Sequence, residues 1–156
     1  ENVKLVYIGR GERLKPTQAL VADEGYGNIH FHDYRPMSEL PDSLGACDVA
    51  VVCLEAGADG LAMPSKLPGI FAAGRPVLVL APTDSEIAQL VTGEDVGVAV
   101  DPRDGAEVVK SAILRLRSDP ERLKEMGLKS RKLAEGRSSV ETAVAAYSAL
   151  LDQATA

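Results

Sequence analysis

Five short apolar runs recur along the chain, each about the length of a strand. They cover residues 3–9, 28–32, 48–54, 77–81 and 97–100. Helical patterns separate them, as in the stretch from 63 to 74, where Met63, Leu67, Ile70, Phe71 and Gly74 fall at helical spacing. Short apolar strands alternating with helices predict an α/β fold: a Rossmann-like parallel sheet with helices on both faces. The runs at 48–54 and 77–81 are apolar throughout, which predicts strands buried on both faces at the centre of the sheet. After residue 104 the pattern is helical only, so the C-terminus is a set of helices. They cover 104–118, a stretch opened by Asp119-Pro120, and 139–151, with a break at 136–139.

Length and composition bound the rest. At 156 residues the chain fits one domain, 1–156, with room for a real core. Hydrophobic residues make up 46% and charged residues 26%, the balance of a soluble globular protein. The net charge of −6 gives no bulk attraction for nucleic acid. Cys47 and Cys53 read as buried free thiols of a reducing compartment. No apolar run approaches the roughly 18–20 residues of a membrane span, and no signal peptide is visible. The chain enters a strand almost at once without an initiating methionine, which suggests a fragment of a longer protein.

Most familiar motifs are missing. Gly9-Arg10-Gly11 after the first strand is only part of a dinucleotide fingerprint, with Asp33 at about the position of its acidic partner. No phosphate-binding P-loop, paired-cysteine metal spacing or nucleophile elbow occurs. His30 and His32 share one face of a strand without further metal ligands in view.

The stretch from 59 to 86 is richer. Gly74 supplies a helix C-cap, Pro76 ends the helix, and Asp84 or Ser85 caps the next one. Ser65 reads as a cap of the helix over 63–74, with Lys66 in its first turn. A lysine there opposes the helix dipole, whereas a bound phosphate would use the hydroxyl, the ammonium and the free backbone N–H groups together. A solvated surface lysine is the competing reading. Glu86 opens a helix just beyond a central strand, where ligands of open α/β sheets collect.

In order along the chain, Val6-Tyr7-Ile8-Gly9-Arg10-Gly11, Asn28-Ile29-His30-Phe31, Glu39-Leu40-Pro41 with Ala46-Cys47-Asp48-Val49, Gly74-Arg75-Pro76-Val77, Glu86, and Gly97 through Pro102 form an ordered set. This set resembles the C-terminal, donor-binding half of GT-B-fold glycosyltransferases of the retaining family-4 type. The wording from Met63 to Val77 is most similar to the bacterial branch that builds colanic acid, capsule or O-antigen. The resemblance implies a cytoplasmic transferase of hexosyltransferase type, the full-length protein lying at the inner face of a membrane as a peripheral protein. Its donor would be a nucleoside diphosphate sugar, its acceptor a polysaccharide or lipid-linked sugar, with no metal and no cofactor. It places the diphosphate and sugar at Ser65, Lys66 and Glu86 and the base at Tyr34 and Arg35, and it assigns no catalytic nucleophile. It also implies an N-terminal acceptor domain as partner, without which this stretch is inactive.

One departure stands out. The family's two glutamates, eight positions apart, fall here on Leu61 and Gly69, with Glu55 or Asp59 as substitutes beside Ser65 and Lys66. A degenerate domain that binds only nucleotide or a protein partner is therefore the alternative. A nucleotide-sugar epimerase is a further one, though its histidine and carboxylate set is not found.

Overall fold

The computed structural model describes residues 3–54, 63–137 and 140–154. All strand pairings in it are parallel. The contacts divide the chain into two compact units, residues 1–43 and 44–156.

The first unit holds β1 (Leu5–Ile8), α1 (Leu14–Asp23) and β2 (Ile29–His32), followed by a single 3-10 turn. Strands β1 and β2 pair in register from Leu5 opposite Ile29 to Ile8 opposite His32. The Tyr7 and Phe31 rings sit opposite each other, 6.1 Å apart and tilted by 49°. Gly25, at φ 70°, ends α1, with the Tyr26 N–H closing back onto the Val21 carbonyl.

The second unit is built on a three-stranded sheet in the order β3 (Ala50–Cys53), β4 (Val77–Leu80), β5 (Gly97–Val100). It follows α2 (Leu40–Gly45), in whose first turn Pro41 sits. The sequence predicts that Pro41 interrupts this helix. It does not, because a first-turn residue has no intrahelical N–H bond to lose.

Strand β4 is the centre. Val77 and Val79 point into one core with Leu67, Ile70 and Phe71 of α3 (Leu67–Ala72) and Ile87 and Val91 of α4 (Glu86–Gly93). Leu78 points the other way, into a second core with Ala112 and Leu116 of α5 (Ala106–Ser118) and Met126 of α6 (Pro120–Arg137). The expected layering of helices on both faces is therefore present. The helix α7 (Val140–Ala154) closes the described chain.

Two expectations are corrected. The five strands form a two-stranded and a three-stranded sheet among the described residues, rather than one. And among the described residues β3 is the edge of its sheet, paired with β4, with Val51 43% exposed. An apolar run reports that side chains want cover on both faces. It carries no information about which backbone edge finds a neighbour. The thiols are both free, as expected, but not both buried: Cys53, on this edge, is exposed and Cys47 is half-buried.

Candidate functional site

In a parallel sheet each connecting helix runs back antiparallel to its strands, so it starts on the side of the strands' carboxyl ends. The starts of α3 and α4 are the places where the sequence predicts chemistry.

The start of α4 is well built. Ser85 is its N-cap, extended at ψ 150°, and its Oγ accepts the Ala88 N–H at 3.4 Å. The same hydroxyl donates to the Pro82 carbonyl at 2.6 Å, which fixes the loop leaving β4. Ser85 is only 5% exposed, so of the two predicted caps the structure selects Ser85 over Asp84. Glu86 then occupies the first helical position, exposed, in the first turn of α4.

The start of α3 differs from its prediction. The helix begins at Leu67, not 63, and Lys66 rather than Ser65 holds the cap position, with no side-chain cap hydrogen bond. The Leu67 N–H is already spent on the Pro64 carbonyl, and Pro68 has none. Two of the first three helical donors that a phosphate would use are thus unavailable. Ser65 and Lys66 form an exposed turn ahead of the helix, and what they offer an anion is a hydroxyl and an ammonium.

At the other end of α3 the reading from sequence holds in detail. Gly74, at φ 66°, receives the chain from Ala73, its N–H bonding the Phe71 carbonyl at 2.9 Å and the Arg75 N–H the Ile70 carbonyl at 3.2 Å. The Arg75 guanidinium then bonds the Gly45 carbonyl at the end of α2. It also lies near Cys47, where its charge partly offsets the burial that pushes this thiol's pKa up.

Gly69 lies inside α3, and a Cβ there would meet Leu44 Cδ1 at 3.2 Å. The position where a glutamate is expected is thus turned toward packing rather than toward open solvent. Leu61, Glu55 and Asp59 lie outside the described residues.

Tyr34 and Arg35 are exposed in the segment after β2, within the first unit; Tyr34 is 61% exposed. Ser65, Lys66 and Glu86 belong to the second, and no hydrogen bond or ion pair joins these three to one another among the described residues. His30 and His32 stand on one face of β2, and no group of three or more His, Cys, Asp or Glu able to hold a metal occurs among the described residues.

One feature at the strand ends escaped the sequence reading. Asp101, at the carboxyl end of β5, grips Arg103 through its backbone N–H at 2.9 Å and through Nε and Nη2 at 2.9 and 2.5 Å. These bonds hold the Asp101 carboxyl below its ordinary range and the guanidinium above its own. The signal was an acid and a base flanking Pro102, directly after a strand. An open cavity of about 340 Å³ in the first unit, between Tyr7, Phe31 and the first turn of α1, holds none of the predicted site residues.

Comparison with known proteins decides the family. The model of the glycosyl transferases group 1 family matches residues 1–119. The chain belongs to the group 1 glycosyl transferases. A probable glycosyltransferase of Pseudomonas aeruginosa, WbjE, is 29% identical over 104 residues, which is 67% of this chain and 26% of that protein. Among solved structures, sucrose-phosphate synthase from Thermosynechococcus elongatus superposes with a TM-score of 0.78 at 20% identity, over 97% of this chain and 38% of that one. WaaG, a glycosyltransferase involved in lipopolysaccharide biosynthesis, gives 0.68 at 19% identity, over 86% and 34%. The fold of this group 1 transferase chain is accordingly that of the GT-B glycosyltransferases. The chain spans about a quarter to two-fifths of the length of these relatives.

Proposed function

We propose that residues 1–156 form one domain, the donor-binding half of a two-domain glycosyltransferase, which takes a nucleoside diphosphate sugar. The family match over residues 1–119 carries this reading. The local chemistry supports it: a hydroxyl and an ammonium at Ser65 and Lys66, and a carboxylate at Glu86, exposed at helix starts on the carboxyl side of a parallel sheet. In this reading Lys66 and Ser65 hold the diphosphate, and Lys66 stabilises the charge that builds on it as the sugar leaves. Glu86 accepts hydrogen bonds from sugar hydroxyls. The reaction is hexosyl transfer to a polysaccharide or lipid-linked acceptor, held by an N-terminal domain. The protein works in the cytoplasm, peripherally bound to the inner face of a membrane. The similarity to WaaG, a glycosyltransferase involved in lipopolysaccharide biosynthesis, is what favours the polysaccharide branch.

Calorimetric titration of UDP, GDP and ADP into the chain tests the donor site. One of them binds, and Lys66→Ala weakens it about tenfold, as expected for a charge-assisted bond to phosphate. No binding of any nucleotide at millimolar concentration contradicts the reading. It favours the second one, a degenerate domain serving a protein partner. The packing of Gly69 against Leu44, where the family carries a carboxylate, is the observation on that side.

A further inference from the structure

The charge of this acidic chain is not evenly spread. Between Ala106 and Arg137, the helices α5 and α6, nine lysines and arginines stand against five carboxylates. The remainder of the chain has eight against eighteen. A hairpin of net charge +4 is thus set in a background of −10.

The two helices repeat one surface arrangement. In α5, exposed Leu114 has Lys110 one turn before it and Arg117 one turn after. In α6, exposed Leu128 has Lys124 one turn before it and Arg131 and Lys132 one turn after. Residues three and four apart share a helix face, so each leucine has cations one turn to either side of it, with Ser111 and Ser118 also beside Leu114 and Glu125 beside Leu128. Leu114 is 45% exposed and Leu128 66%, while Ala112, Leu116 and Met126 are buried in the core on the opposite side of the same helices.

Most carboxylates on these helices are already engaged within the protein. Glu107 pairs with Lys110, Glu125 with Arg122 and Glu135 with Arg131, while Asp119 caps α6 by accepting the Arg122 N–H. Arg115, Arg117, Lys124 and Lys132 have no carboxylate partner among the described residues. An apolar side chain that can enter a headgroup layer, with Arg117 beside Leu114 and Lys124 and Lys132 beside Leu128 left without a carboxylate partner among the described residues, matches the chemistry of an anionic bilayer surface. A nucleic acid would use the cations but has no need of the leucines, and an acidic protein as the occupant would show as absence of binding to anionic vesicles.

We propose that the outward faces of α5 and α6 are the surface by which this protein docks on anionic lipid. Leu114 and Leu128 insert, and the surrounding lysines and arginines hold lipid phosphates. This deepens the membrane clause of the proposed function and rests on that clause alone, not on the donor site.

Co-sedimentation of the chain with phosphatidylcholine vesicles containing about 30% phosphatidylglycerol tests it. The chain is expected in the pellet at about 50 mM salt and in the supernatant at about 0.5 M, where charges are screened within a few ångströms. Pure phosphatidylcholine should not retain it. Leu128→Gln should weaken binding about tenfold, and Lys124→Glu with Lys132→Glu should abolish it, with unchanged circular dichroism. Absence of binding to anionic vesicles at low salt overturns the proposal. So does binding that survives these variants, or that is lost on changing Val144 and Leu150 of α7 instead. The nucleotide titration is independent of all these outcomes, so either reading can fail without the other.

Discussion

Two glycines meet where α6 crosses the turn after α3. A Cβ on Gly127 would lie 2.5 Å from the Gly74 carbonyl oxygen, a backbone atom that cannot swing aside. Gly74 itself needs φ 66° to end α3. Gly127→Ala is expected to lower stability by about 1–3 kcal/mol, overpacking outweighing the better helix propensity of alanine. Urea unfolding followed by circular dichroism measures it. Gly74 was readable from the sequence as a helix end. Gly127 was not, because its reason is a neighbour 53 positions away along the chain. Asp95 is a similar case. It takes φ 56° in the turn after α4, a place usually given to glycine, and it holds Arg122 and, at 2.5 Å, Lys129 of α6. Those two cations keep its carboxyl below the ordinary value of 3.8. A carboxylate depressed in the folded state adds stability that is complete above the unfolded value and disappears as pH falls through the folded one. Wild-type protein should therefore lose stability as pH drops below about 4. Asp95→Asn should be less stable at pH 7 and show a flatter acid limb in urea midpoints measured from pH 6 to 2.

At the scale of elements, β4 decides the second unit. Val77, Leu78 and Val79 are at most 1% exposed and divide between two cores, so one strand ties α3 and α4 to α5 and α6. Leu78→Ala should cost about 2–5 kcal/mol, with loss of cooperativity across both faces of the sheet. The identity of this strand was legible, since an unbroken apolar run with two valines, bounded by Pro76 and Pro82, has few other solutions. The caps at Ser85 and Asp119 were legible for the same local reason. The start of α3 was not: apolar periodicity from Met63 suggested an earlier helix, but Pro68 and the Pro64–Leu67 turn delay it to Leu67. The edge position of β3 was hidden because hydrophobicity reports on faces and not on pairing. For the candidate site this means that Glu86 stands where the sequence put it, at a capped helix start, whereas Ser65 and Lys66 stand in a turn with fewer backbone donors behind them.

At the scale of the whole molecule, the chain combines a family-defining α/β region with a basic helical hairpin and a last helix whose Val144, Tyr147, Leu150 and Leu151 are all more than half exposed. That stripe is where we propose that the N-terminal acceptor domain meets this one. If the proposed two-domain reading holds, the chain by itself should give no sugar transfer in a radiolabelled-donor assay; turnover at an enzyme's normal rate would argue against a two-domain site. The measurement that bears most directly on the central claim is a nitrogen-15 shift map of the chain titrated with UDP, GDP and ADP. The donor-domain account predicts saturable shifts with one of them, concentrated at the amides of Ser65, Lys66 and Glu86. Shifts confined elsewhere, or none at millimolar nucleotide, would contradict it.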